Sequence, residues 1–148
     1  MTHRSLKTWF VALATGMAMH MTASAVEVNG LADFAELFGR YAPAGDCKRQ
    51  PQIVLDASGM SFEVGGVAGK VTNPEFAASY GPHDYKGISK WFFPFRSAAG
   101  YPVLMTFNAN EQKGMLLVEA QDEGWAGGPP LSPRNQALVS GSPYARCK

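Results

Sequence analysis

The sequence predicts a small α+β domain with a mostly antiparallel sheet of about five or six strands, an N-terminal helix and a short C-terminal helix. Two changes of pattern predict it: the hydrophobic period shortens from 3.6 residues to 2 after Pro51, and a helical pattern returns after Pro133. One pair of cysteines, Cys47 and Cys147, is expected to close the domain with a disulfide. We expect residues 26–148 to form a single domain with one core.

The first 25 residues have the pattern of a secretory signal peptide. Arg4 and Lys7 make its start positive, residues 9–19 form a mostly apolar run, and Ala23-Ser24-Ala25 is a small-x-small cleavage pattern. A transmembrane anchor is the alternative, but the run is shorter than the roughly 20 residues needed to cross a bilayer. The sequence therefore predicts a periplasmic or secreted protein without a stable membrane anchor.

The charge balance and the cysteines exclude several classes of function. The chain has 13 basic and 12 acidic residues with no basic cluster, which argues against a nucleic-acid partner. A disulfide between Cys47 and Cys147 would close a loop of about 100 residues, worth about 4–5 kcal/mol by the chain-entropy model. After signal cleavage two cysteines and one histidine remain, too few for a four-ligand metal site, and Cys-x-x-Cys spacing is absent from the sequence. We expect no metal and no other cofactor.

The predicted N-terminal helix follows Asn29, which is a suitable cap. Leu31, Phe34, Ala35 and Phe38 fall on one helical face, and Gly39 is suited to end the helix. Residues 41–46 then predict a turn that leads to Cys47.

Short β segments follow the helix. Residues 52–55, 60–64 and 67–72 are separated by turn-forming clusters and predict an antiparallel meander. Residues 76–80 predict one short helical turn, and residues 88–95, 101–107 and 115–120 predict three further strands. Ser132-Pro133 predicts the start of the C-terminal helix.

A search for catalytic groups selects no residue. After signal cleavage His83 is the only histidine, so a hydrolytic triad has one candidate base, and no serine lies in a Gly-x-Ser-x-Gly elbow. The spacing of the acidic residues selects no carboxylate pair. Residues 65–70 lack the full phosphate-loop spacing. A periplasmic enzyme that depends on His83 remains an alternative hypothesis.

His83 lies in a loop whose composition favours partner binding. Pro82 restricts the backbone, and Asp84 can accept backbone hydrogen bonds that stiffen the turn. Tyr80 and Tyr85 bracket the loop with rings of the kind enriched at binding hot spots. These features predict a protruding, stiff hairpin tip, which would lose little entropy when it enters a partner's cleft. An incidental exposed histidine is the other interpretation.

The loop resembles that of the periplasmic inhibitors of vertebrate lysozyme. Pro82, His83 and Asp84 match the centre of the Lys-Pro-His-Asp loop of that family. Gly81 replaces the lysine, and Tyr80 and Tyr85 stand where the family has two bonded cysteines. The resemblance implies that His83 enters the cleft of a lysozyme and engages its catalytic carboxylates.

Two further features leave other partners open. Trp125, in a Gly/Pro-rich stretch, is expected to fold onto the core or, if exposed, to act as a second binding anchor. The aromatic strand at residues 91–95 could instead bind an envelope component or a second copy of the chain. The hypothesis is therefore an exported, non-enzymatic binding protein whose protein partner is a cell-wall lytic enzyme. An envelope assembly or maintenance protein is the alternative.

Overall fold

The computed structural model describes residues 25–77, 85–98, 100–121 and 131–148. Ten strands in this part of the chain form one sheet, in which every neighbouring pair is antiparallel. The strands are β1 (Ala25–Glu27), β2 (Gly39–Pro43), β3 (Gln52–Asp56), β4 (Gly59–Val64), β5 (Val67–Val71), β6 (Glu75–Ala77), β7 (Lys90–Phe93), β8 (Val103–Phe107), β9 (Met115–Ala120) and β10 (Tyr144–Arg146). The helical elements are two 3₁₀ segments (Ala32–Leu37 and Ala109–Glu111) and the helix α1 (Pro133–Ser140).

The order of strands across the sheet is β1-β6-β7-β8-β9-β10-β2-β3-β4-β5. The sheet is curled. The chain after β1 runs beside residues 72–74, which connect β5 to β6. There the Val28 N–H donates to the Pro74 carbonyl (3.0 Å), and the Gly30 N–H donates to the Thr72 carbonyl (3.2 Å). Curling lets one concave face enclose a core that a flat sheet of this width would leave open.

The predicted α+β fold class is wrong, because the described residues form mostly one antiparallel sheet with a single short α-helix. The sheet has ten strands rather than five or six, and an N-terminal α-helix is not found among the described residues. The six predicted strands correspond to β3, β4, β5, β7, β8 and β9, and the predicted meander is confirmed. Residues 76–77, predicted as helical, belong to β6. Three of the four missed strands have only three residues, too few for a period of 2 to be recognised.

The predicted N-terminal helix is a 3₁₀ segment with a kink at Phe34 (φ −119°, ψ 33°). Leu31 and Leu37 are fully buried, and Phe34 between them is half-buried. A spacing of three residues matches the 3₁₀ repeat, so Leu31, Phe34 and Leu37 reach the core without an α-helix. Ala35, predicted on the apolar face, is exposed. Residues 41–43, predicted as part of a turn, belong instead to β2. They form a strand because β10 and β3 pair with β2 on its two sides.

The core lies on the concave face and is rich in aromatic rings. Phe92 contacts the rings of Phe34 (5.0 Å between centroids), Phe76 (5.2 Å) and Phe107 (5.8 Å). The buried residues of this core are Leu31, Leu37, Tyr41, Ile53, Leu55, Met60, Phe62, Phe92, Val103, Met105, Phe107, Leu116, Val118, Leu138 and Tyr144.

The short C-terminal helix is confirmed. Ser132 caps α1 by accepting a hydrogen bond from the Asn135 N–H (3.2 Å), and Pro133 opens its first turn. Leu138 is buried in the core, and its carbonyl accepts a hydrogen bond from the Tyr144 hydroxyl (2.6 Å). The helix therefore covers the core from the open side of the sheet.

The predicted disulfide is confirmed. Cys47 and Cys147 are bonded with their Cα atoms 5.9 Å apart. The Cys147 N–H donates to the Arg40 carbonyl (2.8 Å), and the Cys47 carbonyl accepts from the Gln52 side chain (2.7 Å). A disulfide is compatible with an exported protein. In the described ranges the structure has no helix that is long and apolar enough to cross a membrane.

Candidate functional site

The loop that carries His83 connects two neighbouring antiparallel strands. β6 ends at Ala77, β7 begins at Lys90, and Phe76 faces Phe92 in their register. Of the six predicted partner-binding residues, five lie outside the described residues: Tyr80, Pro82, His83, Asp84 and Trp125. Tyr85 lies within them, at the point where the connection returns to the sheet.

Tyr85 is tied to the protein by both its hydroxyl and its ring. The hydroxyl donates to Glu111 Oε1 (2.5 Å) and accepts from the Ser89 N–H (2.6 Å). The ring packs edge-to-face on Trp91, with 5.0 Å between ring centroids. The C-terminal base of the connection is therefore held in place by three separate contacts.

Glu111 gathers several donors from this segment. Its Oε2 accepts from the Ile88 N–H (2.8 Å), and its Oε1 lies 3.1 Å from the Ser89 hydroxyl. These hydrogen bonds, first that of Tyr85 and then that of the Ile88 N–H, hold the pKa of the Glu111 carboxyl below its usual value. The carboxylate is thus ionised at neutral pH and acts as the shared acceptor of the group.

Glu111 belongs to a turn with an unusual backbone. Asn108 (φ 50°), Asn110 (φ 54°) and Glu111 (φ 59°) all have the left-handed conformation, which is uncommon for residues other than glycine. The Asn108 side chain supports the turn, since it donates to the Ile88 carbonyl (3.2 Å) and accepts from the Gly114 N–H (2.9 Å). Such a backbone persists where the surrounding contacts over-determine it.

Gly87 leaves the space that these side chains fill. A Cβ atom at this position would lie 2.4 Å from the Tyr85 hydroxyl oxygen and 2.5 Å from each carboxylate oxygen of Glu111. We call Tyr85, Gly87, Ser89, Asn108 and Glu111 the loop anchor. It joins the β6–β7 connection to the β8–β9 connection.

A second apolar cluster lies on the face of the sheet opposite the core. Phe92 points into the core, so Trp91 and Phe93 point to the other face by the alternation of a strand. The members of this outer cluster are Ala25, Ala77, Trp91, Phe93, Tyr101 and Leu104. The predicted aromatic strand therefore divides its rings between the two faces.

An ion pair between a buried carboxylate and an exposed guanidinium borders the outer cluster. Glu75 is only 8% exposed, and Arg96 Nη1 lies 3.2 Å from its Oε1. The Tyr101 hydroxyl donates to its other carboxylate oxygen. Both oxygens are thus satisfied, as a buried carboxylate requires.

Sequence reasoning missed the loop anchor apart from Tyr85. Residues 108–114 lie between the predicted strands at 101–107 and 115–120, and no role was predicted for them. Two asparagines within three residues were the available signal, since asparagine is enriched in the left-handed conformation. The partnership of Glu111 with Tyr85 crosses 26 residues, and sequence spacing does not reveal such a pair.

Among residues 25–77, 85–98, 100–121 and 131–148 there is no group of three or more histidine, cysteine or acidic side chains that could hold a metal ion. Comparisons of the chain with protein-family models, with curated proteins and with solved structures found no match.

Proposed function

We propose that this chain is an exported binding protein whose β6–β7 connection inserts His83 into the cleft of a lysozyme or another cell-wall lytic enzyme. In this proposal His83 is the inserted donor, while Pro82 and Asp84 restrict the backbone beside it. Tyr80 flanks the loop, and Trp125 is a candidate second contact. The sequence Pro82-His83-Asp84 supports the choice of partner class.

The loop anchor is the structural observation that carries the proposal. An inserted loop binds well when its conformation is fixed before binding, because less conformational entropy is then lost. Tyr85 supplies such a fixed base through Glu111, Ser89 and Trp91. Since its hydroxyl is already engaged on both sides, we assign Tyr85 a positioning role rather than a polar contact with the partner.

Export is supported by two independent features. The disulfide between Cys47 and Cys147 is typical of oxidising compartments. The N-terminal 25 residues have the charge, apolar run and cleavage pattern of a signal peptide.

The test is the residual activity of a panel of lysozymes and cell-wall lytic enzymes mixed with the purified protein. We expect inhibition by the wild type, a loss of at least tenfold in inhibition constant for His83→Ala, and a smaller loss for Tyr85→Phe. Lys113→Ala is the matched control, because Lys113 is exposed beside the anchor turn.

Absence of inhibition across the panel, or equal inhibition by wild type and His83→Ala, would refute this function. Circular dichroism of each variant shows whether the fold is retained.

The outer cluster favours a second candidate, an envelope assembly or maintenance protein that binds through the sheet face. It places apolar residues of four strands on the face away from the core. Phe93 and Leu104 are themselves buried, and Trp91 and Tyr101 are the half-buried rings that a partner would meet. Leu117, half-buried, lies on the same face because its partner Thr106 also faces Trp91. This candidate predicts self-association or copurification that His83→Ala does not change and Leu117→Lys abolishes. Val67→Lys, on exposed β5, is its control.

A further inference from the structure

A cleft of about 490 Å³ opens between the end of β2, the chain before β3 and the end of α1. Its volume lies in the range of sites for small molecules. Proline and alanine residues form the apolar part of its walls, namely Pro43, Pro51, Pro143, Ala44 and Ala137, and polar residues form much of the rest. None of these residues belongs to the loop anchor.

The backbone around the cleft is held firmly. The Ala44 N–H donates to the Pro143 carbonyl (3.2 Å), which joins two walls directly. β10 pairs with β2 immediately beside this contact, with Tyr144 facing Pro43. The disulfide between Cys47 and Cys147 ties together the two chain segments that continue from these walls. The cleft is therefore pre-formed.

Arg49 places a positive charge at the cleft. Its backbone is fixed, because its N–H donates to the Asp46 carbonyl (2.9 Å) and its carbonyl accepts from the Gln52 side chain (3.2 Å). Within the described part of the chain its guanidinium has no hydrogen-bond acceptor and no ion-pair partner. A guanidinium is suited to bind a carboxylate through two parallel hydrogen bonds.

The other polar groups of the cleft are compatible with an anion. The Ser140 hydroxyl oxygen accepts from the Gln136 side chain (3.3 Å), so its own proton can be donated to a ligand. The Gln50 amide is already committed, since it donates to Glu63 (2.8 Å) and accepts from the Gly66 N–H (3.1 Å). Acidic residues are absent from the described lining.

We propose that this cleft binds a small organic carboxylate, with the carboxylate on Arg49 and Ser140 and the apolar body against the proline and alanine walls. A free small acid and the C-terminal carboxylate of a peptide share this chemistry. The proposal does not depend on the His83 loop.

Titrations of the ¹⁵N-labelled protein followed by NMR test it, with three probes: 3-phenylpropanoate, an acetylated alanine tripeptide with a free carboxylate, and the same tripeptide as its amide. We expect saturable shifts at cleft residues with at least one carboxylate probe, and none with the amide. Arg49→Gln should weaken binding by about tenfold or more, because a charge-assisted pair is lost. Lys48→Gln removes the same charge one residue away, outside the cleft, and should leave binding unchanged.

A second variant tests the walls. Ala137→Leu keeps a good helix former in α1 and fills the cleft, so it should abolish binding while the rest of the spectrum is retained. Tighter binding of the tripeptide would identify a peptide C-terminus, and tighter binding of 3-phenylpropanoate would identify a free acid. Absence of saturable shifts with both carboxylates, or equal affinity in wild type and Arg49→Gln, would overturn the proposal.

Discussion

The Tyr85 hydroxyl donates to the Glu111 carboxylate across 26 residues of sequence, and this hydrogen bond joins two connections of the sheet. One connection carries His83, and the other is the left-handed turn at residues 108–111. Each residue depends on the other for its geometry.

Tyr85→Phe should destabilise the protein by about 1 kcal/mol, because the Ser89 N–H loses its acceptor. Urea unfolding measures the change. In a double-mutant cycle with Glu111→Ala, the combined effect of the two substitutions should be smaller than the sum of the single effects, since both remove one shared hydrogen bond. Strictly additive effects would show that the two residues act independently.

The contribution of Glu111 should depend on pH. The Tyr85 hydroxyl, and then the Ile88 N–H, lower the pKa of the folded Glu111 carboxyl below its unfolded value. Its contribution is therefore present above the unfolded pKa and is lost as the pH falls through the folded pKa. The stability difference between wild type and Glu111→Gln should shrink between pH 7 and pH 3. A stability difference of the same size at pH 3 and at pH 7 would contradict the assignment.

Removal of the disulfide should cost about 4–5 kcal/mol, because the cysteines are 100 residues apart and the unfolded chain gains the entropy of an open loop. Guanidinium unfolding of the double variant Cys47→Ser, Cys147→Ser measures it. The reduced wild type should unfold at the same midpoint as the double variant. Equal midpoints for oxidised wild type and double variant would show that the bond adds no stability.

Phe92→Ala should destabilise the protein by about 3–5 kcal/mol, because it leaves a cavity among three contacting rings. Val67→Ala is the control, since Val67 is 68% exposed on the edge strand β5 and should change stability by less than about 0.5 kcal/mol. Thermal or chemical unfolding compares the two. A similar loss of stability in the two variants would show that Phe92 is not packed among the three core rings.

Local pattern accounts for the elements that sequence reasoning predicted correctly. The meander β3–β5 has alternating residues and turn-forming clusters between its strands, and α1 has its own cap in Ser132. These features act within a few residues of each other, so they are visible in the sequence. The disulfide was also predictable, because the chain has only two cysteines to pair, although the bond joins residues that are 100 apart in the sequence.

Long-range pairing explains what sequence reasoning missed. β1, β6 and β10 have three residues each, and they exist because neighbours distant in sequence supply their hydrogen bonds. The aromatic strand shows the same limit. The sequence shows that its rings alternate, but it does not show that Phe92 enters the core while Phe93 joins the outer cluster.

The amino-acid sequence by itself determined the meander with its turns, the capped helix α1, the disulfide and the sites of the main strands. The first two depend on residues close together in the chain, and the disulfide follows from the even number of cysteines. Only the tertiary structure decided that ten strands share one curled sheet, that Glu111 holds Tyr85, and that Arg49 and Ser140 line the same cleft. Those relationships arise when segments far apart in the chain pack together, and burial and hydrogen bonding then select the partners.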